Sequence, residues 1–125
     1  MATEAATRLV REGEPPVTLH APAPRAVRAA PHVRPEDVTY TSFDGVEVPA
    51  FLFRPAGASA GTPVPAVVYP HGGPTSYYGD EWDGHAQYFV DKGYAWLAIN
   101  FRGSTGYGRD FERLAHLAGM SFADL

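Results

Sequence analysis

The sequence predicts an α/β fold, and two stretches carry that prediction: a β-hairpin over residues 38–53 and a strand–helix–strand unit over residues 64–101. In the first, Val38-Thr39-Tyr40-Thr41-Ser42-Phe43 is β-branched and aromatic, Asp44-Gly45 reads as a two-residue hairpin turn, and residues 46–53 resume in strand style. Pro49 cannot donate to a ladder, so a bulge is expected there, or an N–H side turned outward. A small-residue loop follows. Val64-Pro65-Ala66-Val67-Val68-Tyr69 is then short and almost wholly apolar, the texture of a strand buried on both faces of a parallel sheet.

Beyond a polar loop at 70–81, Trp82, Ala86, Phe89 and Val90 recur at helical spacing, with Asp83 placed to cap the helix and Gly93 to end it. The next strand, 94–101, is the most apolar of the chain, and a right-handed crossover is expected to join it in parallel to the strand before the helix. A Gly-rich loop at 102–108 leads into a further helix that starts at Asp110.

Composition bounds what such a chain can do. At 125 residues, with 45% apolar and 13% aromatic content, it can bury a core, while 13 Gly and 12 Pro imply short elements and many turns. Residues 1–36 are rich in Ala and Pro, lack aromatics and hold no lasting period, so they read as a poorly ordered lead-in to a folded region at 37–125. The lead-in is nearly balanced in charge, with five Arg and four Glu, whereas the rest carries five basic and ten acidic groups. A net charge of −4 gives no electrostatic case for nucleic acid or an anionic membrane as partner. Zero Cys removes thiolate chemistry and sulfur-ligated metals and fits a cytoplasmic setting. None of His20, His32, His71, His85 and His116 forms an i, i+4 metal pair, so no metal is expected.

In α/β sheets chemistry sits in loops beyond the carboxyl ends of the strands. Two loops qualify here: His71-Gly72-Gly73-Pro74, and Arg102-Gly103-Ser104-Thr105-Gly106-Tyr107-Gly108. The paired glycines bring backbone N–H groups close to a ligand ahead of a helix N-terminus. That suits an oxyanion hole, each donor of which is worth ~3 kcal/mol of barrier in acyl transfer. A tight turn that merely needs Gly remains the alternative reading.

Tyr69-Pro70-His71-Gly72-Gly73-Pro74, followed by Ile99-Asn100-Phe101-Arg102-Gly103-Ser104-Thr105-Gly106-Tyr107-Gly108-Arg109-Asp110-Phe111, resembles the catalytic domain of the prolyl oligopeptidase family of serine peptidases, its acylaminoacyl-peptidase-like branch above all. The hairpin through Asp44-Gly45 to Phe53-Arg54-Pro55 is similar to that family's as well, and the resemblance covers about residues 37–113. It implies a partial α/β-hydrolase fold, peptide substrates cleaved through an acyl-enzyme, and no cofactor. It also implies that Gly72 and Gly73 supply part of the oxyanion hole, with His71 and Pro74 fixing the loop, and that Asn100, Arg102, Gly103, Ser104, Gly106, Tyr107 and Gly108 shape the floor of the site.

A catalytic triad is not expected in this chain. Gly57-Ala58-Ser59-Ala60-Gly61 matches the G-x-S-x-G pattern, but it leads into a strand, where a nucleophile elbow follows one. Ser121 follows helical sequence, and Ser104 is expected to hydrogen-bond its own loop. By resemblance the nucleophile, acid and base come later, so the chain reads as the N-terminal part of a catalytic domain, inactive by itself, with an open sheet edge at residues 64–69 that favours self-association. Rival readings are an esterase or lipase fragment and a non-catalytic interaction fragment, for which the loop Tyr77-Tyr78 to Trp82 would be the surface. Nucleotide binding is disfavoured, because Arg109-Asp110 stand where a P-loop has Lys and Ser or Thr.

Overall fold

The computed structural model describes residues 7–20, 30–73 and 75–117, with side chains omitted for His20 and for 115–117. The strands are β1 (Thr7–Leu9), β2 (Val17–His20), β3 (Glu36–Thr41), β4 (Glu47–Phe53), β5 (Ala66–Pro70) and β6 (Ala95–Ile99); the helices are α1 (Gly84–Asp91) and α2 (Arg109–Leu117). Four strands form one mixed sheet in the order β3-β4-β6-β5, with β5 and β6 parallel and α1 between them in sequence. The expected hairpin, strand–helix–strand unit and following helix are therefore all present, and the fold is a partial α/β one.

Period-2 alternation sorts the strand residues onto two faces. Phe53, Trp96 and Ala98 meet Ala86 and Val90 of α1 on one face, while Ala50, Ile99 and Phe101 cluster on the other. The helix is set where the sequence places it: the Asp83 carboxylate accepts from His85 N (2.8 Å) and Ala86 N (3.3 Å), satisfying donors that a helix start leaves unpaired. Trp96 is held between the rings of Tyr69 (5.0 Å) and Phe89 (5.4 Å). Its indole N–H is buried and, among the described residues, has no partner at hydrogen-bond distance.

Three local expectations are corrected. The 42–46 turn is not a two-residue one, since that type needs positive φ at both central residues, and Gly45 (φ 87°) alone has it there. Instead Gly45 N donates to Ser42 O (3.0 Å) and Ser42 N to Val46 O (2.8 Å), a three-residue loop closed by a glycine bulge. At Pro49 the register with β3 is unbroken, Thr39 facing Pro49, and the Pro49 carbonyl accepts from Asn100 N (2.8 Å) just where the β4–β6 ladder stops. No bulge is needed, because a missing donor at a ladder's end loses little. The third correction concerns β5, which is not buried on both faces: Val68 and Tyr69 keep 50% and 39% of their surface exposed. The strand lies at the edge of the sheet, and among the described residues nothing covers its outer side.

The stretch read as a lead-in also holds structure. Strands β1 and β2 pair antiparallel. Nearer the sheet, Val33 N donates to Gln87 Oε1 (2.9 Å), Gln87 Nε2 donates to Val33 O (2.8 Å), and His32 packs edge-on against Trp82. Val33, just before the sheet, is thus tied to α1 through a glutamine whose role no local pattern signals.

Candidate functional site

Because β5 and β6 are adjacent and parallel, the loops that follow them emerge at the same end of the sheet, the location at which α/β folds bind ligands. The two loops singled out in the sequence are these two. They are joined by side chains as well as by the sheet.

His71 is buried, its ring stacked on Phe101 (4.5 Å between centroids, 22° between planes). Its Nδ1 lies 2.8 Å from Gly72 O and its Nε2 lies 2.7 Å from Ser104 Oγ. Ser104, fully buried, also contacts Phe101 O at 2.6 Å, so it bonds its own loop as expected and additionally reaches the other loop. Thr105 N donates to Ser76 O (2.9 Å), a second stitch between the loops. Gly73 takes φ 136°, a conformation that disfavours side chains, and a Cβ there would come within 3.0 Å of Thr75 N. Pro74, the fourth residue of the oxyanion loop as read from sequence, lies outside the described residues, as does Ser121.

Asn100 makes a third stitch. Fully buried at the end of β6, its Oδ1 accepts from Tyr78 N (2.7 Å), and its Nδ2 donates to Tyr78 O (2.9 Å) and to Tyr107 Oη (2.7 Å). One amide thereby mimics a strand partner for Tyr78 while holding the far end of the Gly-rich loop. Burial raises the pKa of the Tyr107 hydroxyl, and Tyr78, which donates to Asp83 Oδ2 (2.8 Å), is raised further by burial and by that carboxylate. Both phenols stay protonated at neutral pH. Within the aromatic loop the Tyr78 ring meets Phe51, Phe53 and Tyr69, Trp82 is half-buried against His32, and Tyr77 is exposed.

Arg102, read as a floor residue, is 3% exposed and turns toward the β3–β4 hairpin. Its Nη1 donates to Asp44 Oδ2 (2.6 Å) and its Nη2 to Asp44 Oδ1 (2.9 Å) and to Ser42 Oγ (3.1 Å). This paired fork holds the Asp44 carboxyl down at a pKa of about 2. Ser42 and Asp44 belong to the loop's support, yet sequence reasoning assigned Asp44 to the turn alone; partners 58 residues apart leave no local signal. Gly103 is anchored by donating from its N to Phe111 O (3.1 Å), and the exposed Gly106 and Gly108 form the loop's outer turn.

The remaining candidates stand apart. Ser59 closes a tight turn against Thr62 and is exposed, away from any strand-to-helix elbow. His85 is exposed on α1. Among the described residues no group of three His, Asp or Glu is placed to hold a metal, and no helix is long and apolar enough to cross a membrane.

The sequence profile of the prolyl oligopeptidase family matches residues 80–124. An uncharacterized peptidase of Bacillus subtilis, YuxL, is 43% identical over 77 residues, covering 62% of this chain and 12% of that protein. The acylamino-acid-releasing enzyme of Sus scrofa is 37% identical over 76 residues, covering 61% of this chain and 10% of that protein. Among solved structures, a puromycin-hydrolyzing peptidase of Mycobacterium tuberculosis superposes with a TM-score of 0.78 at 28% identity, over 90% of this chain and 18% of that one. The acylaminoacyl peptidase of Pyrococcus horikoshii gives 0.68 at 28% identity, over 91% and 18%. The chain spans about a tenth of the length of the curated relatives it matches. Residues 80–124, with the paired loops and the mixed sheet around them, thus resemble the prolyl oligopeptidase family of peptidases, acylaminoacyl peptidases among them.

Proposed function

We propose that this chain supplies the oxyanion-loop region of a serine peptidase that hydrolyses peptide bonds through an acyl-enzyme. The observation that carries the reading is the hydrogen bond between His71 and Ser104, which fixes a Gly-Gly loop at the carboxyl end of a parallel strand pair. Preorganised backbone donors in such a place stabilise the charge that develops on the scissile carbonyl oxygen, at ~3 kcal/mol per donor. The curated relatives named above support a peptidase over an esterase. The lack of Cys supports a reducing, cytoplasmic setting.

Turnover also needs a nucleophilic serine activated by a base, and no described serine stands on a strand-to-helix elbow. The purified 125-residue chain is accordingly expected to remain unlabelled by a fluorophosphonate probe. Stoichiometric modification of any serine would overturn that reading. In a polypeptide that joins this region to an elbow serine, Gly73→Ala keeps the backbone N–H but cannot hold φ 136° without strain, and by misdirecting that donor it is expected to lower kcat by about 10²-fold with little change in KM.

The open edge of β5 bears on partners. Ala95 N donates to Pro65 O (2.9 Å), and a parallel ladder repeats every second residue, so Val67 and Tyr69 face β6 while Ala66, Val68 and Pro70 face outward. Only Ala66 and Val68 can donate there, since Pro70 has no N–H. This short, apolar template suits pairing with a second copy. Light scattering on the isolated chain is expected to show concentration-dependent self-association that Val68→Lys reduces; a wild-type monomer at all concentrations would exclude it.

A further inference from the structure

We propose that the loop from Tyr77 to Gly84 is a binding site for a quaternary ammonium group, borne by a free small amine or by a methylated lysine side chain. The site goes beyond the oxyanion-loop reading and does not depend on it. The loop encloses a cavity of about 260 Å³ at the start of α1, with Tyr77, Tyr78 and Trp82 among its walls. Among the described residues these three rings meet other partners but not one another, so the space between them is left open. Two glycines make that space. Neither Gly79 nor Gly84 has a positive φ, so backbone conformation does not demand them. Close approach does: a Cβ on Gly79 would stand 3.2 Å from Tyr77 Cε2 and 3.5 Å from Glu81 Oε1, and one on Gly84 would stand 3.2 Å from Trp82 Cη2. The Tyr77 ring and the Glu81 carboxylate therefore flank one point, while Trp82 lies over the first residue of α1 and is steadied by its bond from Nε1 to His32 Nδ1 (3.4 Å).

Charge selects a cation for this cavity. Asp80, Glu81 and Asp83 fall within four residues, and no Lys or Arg occurs between Thr75 and Asp91. The supply of acceptors then decides which cation. Asp83 is already engaged, since its Oδ1 accepts from His85 N and Ala86 N and its Oδ2 from the Tyr78 hydroxyl. The Glu81 carboxylate has no hydrogen bond or ion pair among the described residues, so it is the one free acceptor group in the wall. A primary ammonium brings three N–H donors and would leave some of them without a protein partner here. A quaternary ammonium brings none, and aromatic rings with a net negative charge beside them are what attract it. A metal ion is not served either, because no group of three His, Asp or Glu among the described residues is placed to hold one.

The test is NMR of the 125-residue chain labelled with ¹⁵N-glycine and titrated with choline and with 3,3-dimethylbutan-1-ol, which has the same shape with carbon in place of the charged nitrogen. Choline is expected to shift the Gly79 and Gly84 amides saturably and to bind about tenfold more tightly than the uncharged alcohol. Tyr77→Leu, which keeps an apolar side chain but removes the π face, should weaken choline about fivefold. Glu81→Gln should weaken it about threefold, by an amount that shrinks as salt is added. Both residues are exposed, so the fold should survive either change, and the remaining glycine signals of the unliganded variants report whether it does. A peptide bearing trimethyllysine separates the two sources: tighter binding than choline assigns the site to a peptide-borne group, and weaker binding assigns it to a free amine. Equal affinity for choline and the alcohol, shifts that do not saturate, or a folded Tyr77→Leu protein with undiminished choline affinity would overturn the proposal. No turnover enters the measurement, so loss of the oxyanion reading would leave the result standing.

Discussion

Asn100→Ala is expected to destabilise the chain by about 3 kcal/mol, a large share of the ~5–15 kcal/mol that holds a domain folded. The side chain is fully buried and serves three partners: Tyr78 N, Tyr78 O and Tyr107 Oη. Alanine removes all three bonds while leaving those partners in place, and a buried group stranded in this way costs ~1–3 kcal/mol. Tyr78 and Tyr107 are only partly buried, so water recovers some of the loss, which is why the total stays near the lower end of the sum. Asn100→Asp separates the parts. It keeps the acceptor for Tyr78 N but sets a carboxylate against the Tyr78 carbonyl, so at pH 7 it should be less stable than Ala and recover as the pH falls. Urea unfolding followed by circular dichroism checks both. A loss below ~1 kcal/mol for Ala would mean that the loops hold their places without this amide.

The same residue shows how far the sequence could be read. Its place at the end of an apolar strand, before a Gly-rich loop, is visible from spacing and resemblance, and so are the elements around it, because hydrophobic period and turn chemistry are local properties. Its partners are not. Tyr78 lies 22 residues upstream and Asp44 lies 58 residues before Arg102, and nothing in either segment marks them as neighbours. The apolar run at 64–69 was misread for a related reason: an edge strand and a central strand can carry the same residues, and only the sheet order separates them. The loop glycines were legible because backbone conformation narrows the choice of residue. What remained hidden is the set of polar bonds between segments, and those bonds organise the site.

Acid is expected to weaken the chain between about pH 4 and pH 2, and Asp44→Asn to abolish most of that dependence. The Asp44 carboxyl is held at a pKa of about 2, down from 3.8, first of all by its hydrogen bonds to Arg102. A lowered carboxyl pKa contributes stability that is fully present above the unfolded value and lost as pH falls through the folded one. Glu36, lowered by Arg54, acts with the same sign, but that pair is exposed and screened, so Glu36→Gln should leave most of the acid limb intact. Asp44→Asn leaves the 3%-exposed guanidinium of Arg102 facing a neutral amide, so the variant should be less stable at pH 7 and nearly flat across the acid window. Arg102→Lys keeps a charge but loses the two-pronged fork, and it should fall between wild type and Asp44→Asn. Melting temperature measured from pH 7 to pH 2 distinguishes these outcomes. An Asp44→Asn curve parallel to wild type would show that the hairpin and the Gly-rich loop are not coupled through this pair. A wild-type acid limb that Asp44→Asn flattens, with Glu36→Gln left steep, would identify the β3–β4 turn as the support on which the Arg102 loop stands.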